Sequence, residues 1–260
     1  MAHRNMVGGT AYDTTGGRAL VDGTVYGIDK GKTMVDGTVR EIAFSKETPI
    51  ANLTVGDSVY ANVNGVKQEF LIVHQGLPSD LYDNSCNGTW LLMKDIYVNR
   101  QWRNGSNEYK NSSIHSYLNG TFLNLFDSGI KGLIKSVKIP FVNGDGFSRN
   151  VVTGSKGLAT QVFLLSGLEV KYNSYSTPNN EGNTLSYFSD GSNSKRVAML
   201  NGKQTGWWLR SPDTNSDTTA LSILAGGAGS STPCTTSVGV RPAFVIDSGA
   251  LVDKNNNLIV

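Results

Sequence analysis

The sequence predicts an α+β fold in which strands dominate, preceded by a row of short β-hairpin repeats. Three observations lead there. Charged residues make up only 17% of the 260 and glycines number 30, a composition suited to strands and loops rather than to a helical bundle. Residues 6–47 repeat with a period of 14. From about Thr48 onward, apolar runs of strand length alternate with clusters of turn formers and a single run of helical spacing.

The repeat comprises MVGGTAYDTTGGRA, LVDGTVYGIDKGKT and MVDGTVREIAFSKE, so that Val7, Val21 and Val35 align, as do Gly9, Gly23 and Gly37, and Thr10, Thr24 and Thr38. In the second and third units Asp-Gly separates short β-branched runs. That is the composition of a tight type I′ turn, which needs positive φ at both central residues. Arms of three or four residues bury too little apolar area to stand alone, so such hairpins are expected to stack or to pair with other chains. Residues 1–47 are therefore read as an attaching or oligomerising segment, with a homotrimer the expected state. The stretch YGIDKGKT imitates a phosphate-binding loop, but only three residues separate Gly27 from Gly31 where that motif requires four. The repeat already accounts for Gly31 as the equivalent of Gly17.

Within 48–260, VKQEFLIVHQG (66–76) and TWLLMKDIYV (89–98) read as buried strands. NSSIHSYLNGTFLNLFDSGI (111–130) carries Ile114, Tyr117, Leu118, Phe122, Leu125 and Phe126 at helical spacing, with Asn111 or Ser112 as N-cap and a break at Asn119-Gly120. VKIPFV (137–142) and QVFLLSG (161–167) read as strands. Residues 173–195 are polar and rich in turn formers, and predict a long surface excursion. GWWLRSP, TALSILAG and VGVRPAFVID predict three more strands around a polar tract at 213–237. Trp207, Trp208 and Leu209, with Val240, Pro242, Ala243 and Phe244, are expected to form an apolar floor, and Arg210 and Arg241 to donate to backbone carbonyls.

The run NSSIHSYLNGTF, VFLLSGLEV, GWWLRSP and GVRPAFVID, in that order, resembles a domain common in phages and gut Gram-positive bacteria and associated with C-type-lectin-like folds. The resemblance spans roughly residues 50–250, and the paired WWLRSP and GVRPAF blocks are its most specific part. His115 stands where relatives often carry Arg. The 14-residue repeats resemble those at the N-termini of phage tail and minor structural proteins. The chain is also similar to the variable proteins of diversity-generating retroelements, which display hypervariable residues near the C-terminus of such a scaffold. Adenine mutagenesis of AAC-like codons cannot create Lys, Glu, Gln, Met or Trp, and none of these occurs in 213–237; a bland Ser/Thr/Gly loop would lack them as well.

The resemblance implies a C-type-lectin-like receptor-binding domain at 48–260, in a tail adhesin carried on the virion and assembled with other tail proteins. Its partner would be a bacterial surface receptor, protein or glycan. The alternatives are a bacterial or prophage-encoded surface binding module and a purely structural virion protein. The residues expected to contact the receptor are Asp213, Thr214, Asn215, Ser216, Asp217, Thr218, Ser230, Ser231, Thr232, Thr235, Thr236 and Ser237, helped by aromatics from 172–188.

Chemistry for other functions is thin in the sequence. The three histidines (His3, His74 and His115) are scattered, and His74, on an apolar strand, reads as structural. No HExxH, CxxC or EF-hand pattern occurs, VNGDGFS (142–148) is too poor in carboxylates for Ca²⁺, and neither a metal nor a cofactor is expected. No enzyme is expected either. Cys86 and Cys234 are not expected to pair. A net charge of +2 without a Lys/Arg block argues against nucleic acid. No stretch approaches ~18 apolar residues and the N-terminus has no apolar signal region, so neither a membrane span nor a signal peptide is expected.

Overall fold

The computed structural model describes residues 47–103 and 105–260, Ser148 by its backbone only, and within 1–46 the backbone of seven short strands. The strands Arg4–Val7 and Thr10–Asp13 pair antiparallel, as do Arg18–Val21 with Thr24–Gly27 and Gly31–Val35 with Thr38–Ile42. Each pair thus flanks a dipeptide at the same point of the repeat, and Ser45–Lys46 joins the second pair. The Asp22-Gly23 and Asp36-Gly37 turns, the loop at 28–30, His3 and the expected trimeric packing lie outside the described residues.

The rest of the chain is α+β. Its main strands are β1 (Ser58–Val63), β2 (Val66–Gly76), β3 (Gly88–Met93), β4 (Val98–Gln101), β5 (Val162–Phe163), β6 (Trp207–Pro212), β7 (Thr219–Ile223), β8 (Gly229–Pro233), β9 (Ser237–Val240) and β10 (Ala243–Ile246). They form two five-stranded sheets, in the orders β5-β10-β3-β2-β1 and β4-β9-β6-β7-β8. The pair Thr48–Pro49 and Leu251–Val252 brings the two ends of this part of the chain together.

Sequence explains the central strands. Every residue of β3 and of β6 is buried, as expected for apolar runs covered on both faces. The indoles of Trp90, Trp207 and Trp208 have no exposed surface, and each ring N–H reaches a carbonyl: Cys86 at 3.0 Å, Arg196 at 2.8 Å and Arg100 at 2.9 Å. A satisfied donor removes the main cost of burying an indole, a cost that Trp102, also wholly buried, still carries because its ring N–H has no hydrogen-bond partner. Phe244 packs edge-on against Phe70 and Phe126, at 5.2 and 5.4 Å between ring centres, joining the first sheet to the helical segment.

That segment opens with helix α1 (Ser113–Tyr117), where the Ser112 hydroxyl accepts the His115 N–H at 3.0 Å. Its next turn, Leu118–Phe122, widens to π geometry around the expected break at Asn119-Gly120, and a 3₁₀ turn follows. Asn119 uses the widening: its Oδ1 accepts the N–H groups of Gln161 and Val162, tying the helix to β5.

Four expectations are corrected. VKIPFV is two short strands, Val137–Ile139 and Phe141–Val142, on either side of Pro140, which has no N–H to give a ladder. QVFLLSG keeps strand pairing only at Val162–Phe163. VGVRPAFVID is likewise two strands, one in each sheet, parted at Arg241-Pro242. Arg241 secures the crossing by donating to the carbonyls of Met93 and Lys94, both at 2.8 Å, with its guanidinium 4.9 Å from the Trp207 ring centre. Finally, 173–195 is no surface excursion throughout: Thr177, Pro178, Glu181, Leu185 and Phe188 are buried. Cys86 and Cys234 are free and buried, and burial pushes both thiols up to about 12.

Candidate functional site

The polar tract folds as a turn, a hairpin and a second turn. Residues 213–218 connect β6 to β7, β7 pairs with β8 in the register Thr219↔Pro233 to Ile223↔Gly229, and 234–236 lead into β9. Cys234 N–H donates to the Thr218 carbonyl at 2.9 Å, so the two turns lie side by side. Ser230, opposite Ser222, sits toward the other end of the hairpin, away from them.

What holds the first turn is Asn107, which has no exposed surface. Its side-chain NH₂ is directed at the carbonyls of Asp213, Ser216 and Thr219, at 3.3, 2.8 and 2.7 Å, and its Oδ1 accepts the Gly146 N–H at 2.9 Å. A Cβ on Gly146 would stand 1.8 Å from the Asp213 carbonyl oxygen, so only glycine allows this approach. The amide thus adds its two N–H groups to a turn whose Asp213 and Thr219 carbonyls already accept the N–H groups of Ser216 and Asp213, and its loss would strand the Ser216 carbonyl and the Gly146 N–H. Asn107→Ala is expected to cost about 1–3 kcal/mol through those stranded groups, read as a lower melting temperature, while Asn107→Asp should fail to restore it because a carboxylate cannot donate.

The twelve residues expected to contact a receptor divide into three groups. Asp213 and Thr214 are buried and belong to the frame, which corrects their reading as contact residues. The Asp213 carboxylate accepts the Asn215 N–H at 2.9 Å, and Thr214 N–H donates to the Ser176 carbonyl at 3.0 Å. Ser216, Ser230 and Thr232 are half-buried. The Ser216 hydroxyl accepts from the N–H groups of Thr218 and Thr219, and that of Thr232 lies 2.8 Å from Ser222 Oγ. Asn215, Asp217, Thr218, Ser231, Thr235, Thr236 and Ser237 are exposed.

Nothing local in the sequence places β4 at this surface. Its Gln101 pairs with Ser237 and its Arg100 with Val238, which adds a guanidinium and an amide beside the displayed hydroxyls. The Arg100 guanidinium lies 4.1 Å from the Tyr117 ring centre, which holds an otherwise mobile side chain in place. Two shallow hollows of about 400 and 290 Å³ both include Ser237, one running to Arg100 and Ser113, the other to Thr232 and Leu224. The first is lined by polar side chains with the Arg100 cation at its edge, and the second mixes hydroxyls with the apolar Ile223, Leu224, Ala225 and Val238.

Beneath the turn lies a buried charge network, also unanticipated. Arg210 and Glu169 have no exposed surface and pair fork to fork, at 2.5 and 2.7 Å. Arg210 further donates to the carbonyls of Pro140, Leu164 and Glu181, at 3.0, 3.1 and 3.2 Å. Burial opposes the Arg210 charge, but the Glu169 carboxylate more than offsets this and raises its pKa. Glu181, equally buried, accepts the Ser211 hydroxyl at Oε2, while no hydrogen bond reaches its Oε1. Burial pushes its carboxyl up to about 7. The carbonyl bonds of Arg210 and Arg241 follow the sequence expectation; the carboxylate partner 41 positions before Arg210 does not.

Two histidines lie in the described part, and burial lowers the pKa of each. His74 Nδ1 is 2.8 Å from Ser186 Oγ, which fastens the 173–195 segment to β2. Among the described residues no three His, Cys, Asp or Glu side chains gather as metal ligands, and no helix is long and apolar enough to cross a membrane.

Residues 87–248 match the family described as Domain of unknown function (DUF6273). No curated protein and no solved structure matches the chain.

Proposed function

The chain belongs to the DUF6273 family, and from that premise we propose that it is a receptor-binding protein, an adhesin of a phage tail. In this reading residues 48–260 form a C-type-lectin-like domain that presents the polar tract to a bacterial surface receptor. Residues 1–47 attach it to the virion or assemble it as a trimer. One observation carries the reading: apart from Asn215, the frame of the tract and its displayed side chains are separate sets of residues. Trp207, Trp208, Arg210 and Arg241 are wholly buried, whereas Asn215, Asp217, Thr218, Ser231, Thr235, Thr236 and Ser237 are exposed, and of these Asn215 also ties back to Ser176 and Arg149. A surface built this way tolerates exchange of its contact residues, as recognition of changing partners requires.

The test replaces those seven exposed residues by Ala in the full chain. The variant is expected to stay folded with a melting temperature lowered by a few degrees at most, since exposed substitutions usually fall within about 0.5 kcal/mol each and in either direction, with Asn215 giving up its bonds to Ser176 and Arg149. Binding to a panel of Gram-positive gut bacteria, measured by flow cytometry, should disappear. A shallow polar site binds weakly alone, and linking copies raises avidity by about 10²–10⁴. Deleting 1–47 should therefore weaken cell binding while the remainder stays folded. Retained binding in the sevenfold variant would refute the assignment of the surface.

A further inference from the structure

Beside the display surface, a cleft of about 340 Å³ opens between the turn at 213–218 and the loop at 173–180. It is lined by Arg149, Ser174, Tyr175, Thr177, Asn179 and Thr214, together with Pro178. Its size falls at the low end of small-ligand sites, roughly 300–1,000 Å³. We propose that this cleft binds a sugar ring, with the Tyr175 face as stacking platform and the surrounding polar groups reading the hydroxyls. The inference rests on the adhesin reading and deepens it by naming a glycan as the ligand class.

Tyr175 is the reason. Its side chain leaves the residue 90% exposed, the most exposed of the large apolar or aromatic residues in the described part. Yet it does not sit on a loose loop. Thr177 N–H donates to the Ser174 carbonyl at 3.0 Å, and Ser174 N–H returns to Thr177 Oγ1 at 3.0 Å, closing the turn around it. The adjacent Ser176 is held through its carbonyl by Thr214 N–H at 3.0 Å and through its hydroxyl by Asn215 Nδ2 at 3.1 Å. A large ring is thus kept in water on a backbone already fixed, so binding orders the ring but not the loop that carries it.

Opposite, Arg149 sits at φ 47°, a backbone region unusual for its type, and its guanidinium donates to the Thr214 carbonyl at 3.1 Å and to Asn215 Oδ1 at 3.2 Å. It forms a rigid cationic wall across the cleft. The lining offers the half-buried Ser174 hydroxyl, an exposed Asn179 amide, the Arg149 guanidinium and one aromatic face, while Thr177 and Thr214 are buried beneath them. An apolar ring face bordered by hydroxyls is the complement of that combination.

The experiment titrates the full-length protein with three purified probes: neutral hexose oligomers, N-acetylhexosamine oligomers and uronic-acid oligomers. Saturation-transfer NMR reads the contact. At least one probe should bind, Tyr175→Ala should weaken it by about tenfold or more, and Tyr175→Phe should keep it. The melting temperature should not move, because the ring touches solvent. Absence of binding by all three probes overturns the proposal, as does equal binding by the Tyr175→Ala variant. Bacterial cell binding distinguishes the two levels. If it is lost in the sevenfold display variant and after protease treatment of the cells, yet unaffected by Tyr175→Ala, the adhesin reading stands and the sugar assignment falls. Loss of neither falsifies both.

Discussion

Replacing Glu169 by Ala is expected to destabilise the protein by about 3–5 kcal/mol, because Arg210 would then keep its charge in a dry interior without a counter-ion. Glu169 also accepts the Tyr82 hydroxyl at 2.7 Å and the Ser166 N–H at 2.8 Å, so its removal strands further donors. At roughly 2–4 °C per kcal/mol for a domain of this size, the melting temperature should fall by about 6–20 °C. Arg210→Lys should recover little of the wild-type stability, since an ammonium cannot span a bidentate carboxylate and three carbonyls together. The double variant Glu169→Gln with Arg210→Met should be less damaged than either charge deletion alone. Its remaining deficit would come from the carbonyls of Pro140, Leu164 and Glu181, which would lose their bonds to Arg210. A fall below about 1 kcal/mol in Glu169→Ala would mean that water enters and that the pair is no keystone.

The second large effect is a pH dependence set by Glu181. Its carboxyl is raised from 4.5 to about 7, by burial first and against the pull of Arg210. The folded state therefore holds a proton that the unfolded chain releases. Stability from this group is fully present below about 4.5, falls as pH rises toward 7, and is level above it. The slope approaches about 1.4 kcal/mol per pH unit across that window. Glu181→Gln, which keeps the shape and the neutral charge, should remove the slope and make the protein more stable than wild type at pH 8. The lowered pKa values of His74 and His115 act in the opposite direction, so the quantity to measure is the difference between wild type and Glu181→Gln from pH 4 to 8 by chemical denaturation. Parallel curves would sink the assignment.

Both predictions concern residues that gave no local signal, and this marks the boundary of what could be read in advance. The aromatic block at 207–209 and Phe244 were legible as core because a dense apolar run is stable only out of water. The strand pairs within 4–42 were legible because the repeat sets apolar runs of strand length around a dipeptide of turn formers at constant spacing. The helix cap was legible as Asn111 or Ser112, because either side chain precedes a helical pattern, and the structure uses Ser112. Each of these signals is local, carried by neighbours in the chain.

Polar residues tell less, since their burial depends on a partner that any distant segment can supply. Asp213 and Thr214 look like the rest of their tract but are buried, because Asn107 and Ser176 arrive to meet that turn. Residues 173–195 are polar enough for a surface loop, yet Glu181 is drawn inward beside Arg210 and Ser211. Arg100 and Gln101 join the display surface only because β4 pairs with β9 across more than a hundred residues. Composition and periodicity by themselves determined which segments must leave water and where the chain turns. Which polar groups follow them inside, and which face the solvent together, was decided by the tertiary structure, because a hydrogen bond or ion pair needs two partners and the sequence places only one of them at a time.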